Sequence, residues 1–222
     1  MIYRIGRYGK TEDKFVNHLE AFNYIKKWTT IVNRAGRVTI AAEGKENLPD
    51  SDGFIMFCNH QGLFDVLAFL EACPKPFAFI AKIEVANVIL LKQIIAALGS
   101  YPLDRENLRQ AMGVINSVAA DVKKGKNFII FPEGTRCPTR NAMGDFKGGS
   151  FKSATKAKCP IVPCALIDAH KPFDVMSIKA VTVKLRFLPP IYHHEYEGMK
   201  TVEIADMVKE RIAVAMKEML EE

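Results

Sequence analysis

An α/β fold, a mixed and largely parallel sheet flanked by helices with an N-terminal amphipathic helical appendage, is predicted by the way short apolar runs alternate with longer helical patterns. Four runs of strand length are apolar throughout: FIMFC at 54–58, FAFIA at 77–81, FIIF at 128–131 and IVPCALI at 161–167. Helical patterns fill the spaces between and after them, at 63–71, 84–98, 106–124 and 148–158. A late strand, VTVKLRFLPPI, and a closing helix over 202–220 complete the series. At 222 residues, 49% hydrophobic and 25% charged, the chain can bury one full core with an appendage, so the division expected is a segment 1–45 and a main domain 46–222.

The N-terminal segment is read from its own periodicity. Phe15, Leu19, Phe22, Ile25, Trp28 and Val32 recur at three- and four-residue steps over 11–34, the spacing of one helical face. Glu12 and Asp13 suit the first turn and Gly36 the end. The stripe is rich in aromatics and flanked by Lys14, Lys26, Lys27 and Arg34, as on helices that lie in a membrane interface; a helix docked on its own core has the same pattern. The stretch 85–98 is apolar nearly all round and fits either a core helix or the wall of an apolar channel.

Composition narrows the partners. A net charge of +6 and a pI near 9.0 imply an anionic partner: lipid, phosphorylated metabolite or nucleic acid. No window holds eighteen uninterrupted apolar residues and no signal-like stretch opens the chain, so a spanning or secreted protein is disfavoured. Five scattered cysteines without a Cys-x-x-Cys pair indicate neither zinc nor a redox dithiol, and a reducing compartment is expected.

Two clusters at strand ends carry chemistry, where open α/β sheets place their sites. After FIMFC comes Asn59-His60-Gln61-Gly62-Leu63-Phe64-Asp65. A tight turn at Gly62 lets the Asp65 carboxylate reach one imidazole nitrogen of His60, fixing the tautomer and raising the basicity of the other. After FIIF comes Pro132-Glu133-Gly134-Thr135-Arg136, a loop able to present backbone N–H groups beside a guanidinium suited to phosphate or carboxylate. Gly144 and Gly149 have phosphate-loop spacing, but Ser150 stands where that loop needs lysine. Gly148-Gly149-Ser150-Phe151-Lys152 falls one glycine short of a hydrolase nucleophile elbow.

Taken together and in order, these blocks resemble the 1-acyl-sn-glycerol-3-phosphate acyltransferases of the glycerolipid acyltransferase group. NHQGLFD matches the first block, Tyr101-Pro102-Leu103-Asp104-Arg105 the second, FPEGTR running on to Phe146-Lys147-Gly148-Gly149 the third, and Ile161-Val162-Pro163-Cys164-Ala165 the fourth. The match covers roughly 50–170 and departs from the family at Gly62 and Cys137, where serine is usual. The resemblance implies an O-acyltransferase of phospholipid biosynthesis that moves a fatty acyl group from acyl-CoA or acyl carrier protein to the hydroxyl of lysophosphatidic acid. It implies no cofactor beyond the thioester co-substrate and no metal. An activated thioester needs no protein nucleophile, so His60 is expected as general base and Asp65 as its partner. Arg105, Glu133, Gly134 and Arg136, with Thr135 between them, are expected to bind the acceptor, Glu133 through an arginine or a glycerol hydroxyl. Lys82, just after FAFIA, is a positional candidate for the oxyanion. The partners expected are lysophosphatidic acid, the thioester donor and a membrane surface, not nucleic acid, with a peripheral location on the cytoplasmic face of the cell membrane. An acyltransferase for another lysolipid or glycerol phosphate, and a non-catalytic anionic-lipid-binding module, are the alternatives.

Overall fold

The structure, a computed structural model, describes residues 5–7, 18–137, 139–175 and 178–222. Its elements run α1 (His18–Ala35), β1 (Val38–Glu43), β2 (Ile55–Cys58), α2 (Phe64–Ala72), β3 (Ala78–Lys82), α3 (Ile89–Ala97), β4 (Tyr101–Leu103) and α4 (Leu108–Lys123). They continue with β5 (Phe128–Ile130), α5 (Lys152–Ala157), β6 (Ile161–Ile167), α6 (Lys171–Asp174), β7 (Val181–Phe187), α7 (His193–Tyr196) and α8 (Thr201–Glu221). All four apolar runs are strands.

The strands form one sheet in the order β1-β7-β6-β2-β5-β3-β4. From β6 to β4 every pairing is parallel, β7 is antiparallel to β6, and β1 is parallel to β7. Every residue of β2, β5 and β6 is buried, the consequence of helices on both faces of a parallel sheet, and this is why IMFC, FII and IVPCALI show no alternation. One face carries α1, α2 and α3 over Phe54, Met56, Phe69, Phe77 and Phe187; the other carries α4, α5 and α8 over Ile55, Phe57, Phe128, Phe151 and Ile161. Because the five strands from β6 to β4 point the same way, the loops leaving β2, β5 and β6 emerge side by side at one end.

The segment 1–45 is less of an appendage than its periodicity suggested. Val38–Glu43 pairs along its whole length with β7, from Val38↔Val181 to Glu43↔Arg186. In α1, Phe22 and Ile25 are buried, with Phe22 edge-on to Phe77 at 5.4 Å, so this part of the stripe faces the protein's own core. Trp28 is half-buried against Tyr24, while Leu19, Ile31 and Val32 are exposed. Phe15 and the rest of the expected first turn lie outside the described residues. The stretch 85–98 is also divided: Val88, extended at φ −80° and ψ 123°, separates a 3-10 turn at Val85–Asn87 from α3. Asparagine followed by a β-branched residue is a weak place in a helix.

Truncating Phe22 to Ala therefore costs about 3–5 kcal/mol of unfolding free energy, whereas Leu19→Ala changes it by less than about 0.5 kcal/mol. Urea denaturation of the two variants checks this, and equal effects would contradict the inward orientation of Phe22.

Candidate active site

The turn after β2 is built from polar groups that pair with one another before any ligand arrives. Asn59, fully buried, donates from Nδ2 to the Leu166 carbonyl at 2.9 Å and accepts at Oδ1 from the Leu166 N–H at 2.8 Å. Its amide thereby stands in for a peptide group and prolongs the β2–β6 ladder one step past Cys58↔Cys164. The chain then turns, and Asp65 in the first turn of α2 reaches back. Its carboxylate accepts from the N–H groups of Gln61 at 2.8 Å and Gly62 at 3.0 Å, and from His60 Nδ1 at 2.7 Å. Leu63 supplies no side-chain cap, so this fully buried carboxylate also provides the negative charge that a helix N-terminus favours.

Accepting from Nδ1–H assigns the proton of a neutral imidazole to Nδ1 and leaves Nε2 as the basic nitrogen. The His60 ring packs on Phe131 with centroids 4.7 Å apart, and its side chain keeps 19% exposure. This is the pairing expected from the His60–Asp65 spacing.

Glu133 is tied to the backbone on both sides of the cleft. It is 3% exposed, and both carboxylate oxygens are used by backbone: Oε1 accepts from the His60 N–H and Oε2 from the Gly144 N–H, each at 2.8 Å. Glu133 thereby clamps together the β2 turn, the β5 loop and the 144 loop. Burial raises its pKa above the ordinary carboxylate value, and the two N–H donors oppose that rise. Gly144 must be glycine for this contact, since a Cβ there would lie 2.8 Å from Glu133 Oε2. Gly134, at φ 71°, makes the left-handed step that returns the loop, and Thr135 and Arg136 beyond it are exposed.

A third layer, which the sequence reading missed, fixes the outer loop. Gln61 donates to Asn141 Oδ1 at 2.8 Å and accepts from the Ala169 N–H at 2.7 Å. Asn141 and Asp168 exchange two hydrogen bonds, at 2.8 and 2.9 Å, both in left-handed backbone at φ 54° and 66°. Asn and Asp tolerate that conformation, which was the one available signal.

Between these loops lies a cleft of about 270 Å³ whose walls include His60, Arg136, Cys137, Arg140, His170 and Asp174. Arg136 approaches Asp174 at 3.9 Å. Arg105 and Lys82 do not line the cleft: they leave β4 and β3, separated from β2 by β5, and Lys82 pairs with Glu84 at 2.8 Å. At about 4.8 Å per strand, the end of β4 stands roughly 14 Å from that of β2. Strand order thus places Lys82 two strands and Arg105 three strands from the histidine turn at the end of β2. Among the remaining thiols, burial drives Cys73 to about 11 and Cys159 to about 12, so neither is a ready nucleophile.

A base held by a buried carboxylate at the head of a cleft that also holds arginine can deprotonate a hydroxyl on an anionic substrate. The fold and these motifs coincide with a known family: the chain belongs to the acyltransferase family, whose model matches residues 39–167. It is 32% identical over 181 residues to the 1-acyl-sn-glycerol-3-phosphate acyltransferase of Saccharomyces cerevisiae, covering 79% of this chain and 59% of that one. The 1-acyl-sn-glycerol-3-phosphate acyltransferase of Cocos nucifera is 31% identical over 157 residues, covering 69% of this chain and 51% of that one; the corresponding figures for that of Escherichia coli are 28%, 172 residues, 75% and 70%. The chain thus spans a little over half the length of the palm and yeast relatives. The crystal structure of the 1-acyl-sn-glycerophosphate (LPA) acyltransferase PlsC from Thermotoga maritima has the same fold, with a TM-score of 0.80 at 24% identity over 97% of this chain and 86% of that one.

Replacing Asn59 by Ala leaves the Leu166 N–H and carbonyl unpaired in the core and lowers stability by about 1–3 kcal/mol. Chemical denaturation measures the loss, and a neutral substitution would show that the β2–β6 ladder ends at Cys58.

Proposed function

We propose that this chain transfers a fatty acyl group from acyl-CoA or acyl carrier protein to the sn-2 hydroxyl of 1-acyl-sn-glycerol 3-phosphate, giving phosphatidic acid. The observation that carries the reading is the Asp65–His60 pair at a cleft that also presents Arg136. Family membership and the relatives' names support the reaction class and the acceptor.

In this reading His60 Nε2 takes the proton of the acceptor hydroxyl as its oxygen attacks the thioester carbonyl. The tetrahedral intermediate collapses with loss of the thiolate, and the imidazolium returns the proton to that sulfur. Asp65 stabilises the imidazolium while it exists; its bond with Nδ1 keeps the ring from turning, and the Gln61 and Gly62 N–H groups hold the carboxylate in place. Both substrates are held at once, so no acyl-enzyme is required. Arg136 binds the acceptor phosphate, and breaking its long contact with Asp174 costs little.

The substrates reside in bilayers, and we place the protein at the cytoplasmic face as a peripheral enzyme. No described helix is long and apolar enough to cross a membrane. Exposed Leu19, Ile31 and Val32 on α1, with Val88 and Ile89 at the start of the adjacent α3, and Lys27 and Arg34 beside them, are suited to an anionic surface.

His60→Ala is expected to lower the transfer rate by about 10²–10⁴-fold with the circular dichroism spectrum retained, and Asp65→Asn to lower the maximal rate more than it changes the acceptor KM. Release of free thiol from the donor follows both, and a folded His60→Ala protein with wild-type turnover would refute the base assignment. On vesicles, serine at Leu19, Ile31 and Val32 together should weaken sedimentation with anionic lipid while activity on detergent-dispersed substrate persists; unchanged sedimentation would move the membrane face elsewhere.

A further inference from the structure

The two edges of the sheet are built differently. β4, at one edge, is three residues long with Pro102 at its centre, and a short strand interrupted by proline is a poor template for another chain. β1, at the other edge, is six residues long and contains neither proline nor lysine, and it pairs with β7 in unbroken register from Val38 to Glu43. Long edge strands without such guards are the ones that accept a further strand.

The direction of the free backbone groups is set by β7. The Val181 N–H donates to the Arg37 carbonyl at 3.0 Å, so in this parallel ladder the backbone groups of Thr39, Ala41 and Glu43 turn toward β7 and those of Val38, Ile40 and Ala42 turn away from the sheet. Among the described residues nothing hydrogen-bonds to those three N–H groups or three carbonyls. A second β1 laid antiparallel, with Ile40 on the twofold axis, matches them: Ile40 meets the copy's Ile40, Val38 meets the copy's Ala42, and each pair exchanges two bonds. The same register sets exposed Thr39 against the copy's exposed Ala41, and Arg37 against the copy's Glu43 at both ends. Glu43 accepts from Arg186 at Oε2 alone, at 2.9 Å, and Arg37 gives one N–H to the Ile178 carbonyl at 3.2 Å, so both side chains keep atoms for a cross-strand ion pair. Slipping by one residue would oppose outward groups with inward ones, and slipping by two would separate the charges. An axis through Ile40 stands perpendicular to the sheet, so two seven-stranded sheets join into one with α1, α2 and α3 of both copies on the same side. That side carries the exposed apolar residues assigned above to the membrane surface.

We propose that the chain associates through β1 into a twofold-symmetric dimer with an antiparallel β1–β1 seam, its register fixed by the two Arg37–Glu43 pairs. The dimer is independent of the acyl-transfer reading. One strand from each copy is a small contact beside the ~1,200–2,000 Å² of a standard complex, so association is reversible and depends on concentration.

Sedimentation equilibrium of the full chain across a range of concentrations is expected to show monomer and dimer in exchange. Arg37→Glu and Glu43→Arg should each raise the dimer Kd by about ten-fold or more, and the double reversal Arg37→Glu/Glu43→Arg should recover most of the loss, with circular dichroism checking that each variant is folded. Cysteines report the register: Thr39→Cys mixed with Ala41→Cys should give a disulfide-linked dimer on oxidation, across the ~4.5 Å Cα separation of a non-hydrogen-bonded pair, while either variant alone stays at the background of the wild type. A chain that is monomeric at every concentration overturns the proposal, as does a dimer indifferent to both charge reversals or one cross-linked equally well by either cysteine variant alone. Should the chain stay monomeric while an unrelated extended peptide slows hydrogen exchange at Ile40 and Ala42, the edge serves another partner and the dimer is excluded.

Discussion

Asp65 has no contact with water, and its charge is tolerable there because three N–H groups surround it, two of them from the backbone it has just left. That arrangement compels the chain to turn sharply between β2 and α2, and the turn in turn aims the imidazole. Asn59 below it and Glu133 beside it satisfy the remaining backbone groups. These bonds orient the imidazole before any ligand arrives, which is how a site avoids ordering its own residues on binding.

Much of this was legible in the residues, and the boundary of legibility has a physical origin. The buried strands were readable because both faces are covered, which makes IMFC, FII and IVPCALI uniformly apolar. β1 escaped notice: it lies at the sheet edge, alternates between exposed and partly buried positions after a buried Val38, and carries two alanines. His60 and Asp65 were readable together because five residues of sequence separate them and local turn geometry governs their contact.

The role of Glu133 was not readable. Its partners are backbone N–H groups 73 and 11 residues away, which have no side-chain signature. Arg105 shows the same limit in another form. Its block is adjacent in order along the chain, but β5 and β3 are interposed in space, and strand order is a property of the whole sheet. The N-terminal stripe gave an intermediate result, since periodicity identifies an apolar face without saying what covers it; Phe22 and Ile25 are covered by the core, Leu19 and Val32 are not.

The Asn59–Leu166 pair has a consequence in time. Its two partners are 107 residues apart, and β2 is held between β5 and β6, which are translated long after it. Contacts of such separation close a large loop and form late in folding. The histidine turn therefore has its full support only with β6 docked against β2. The support of the histidine turn and the pairing of β2 with β6 are, in this molecule, one continuous long-range contact.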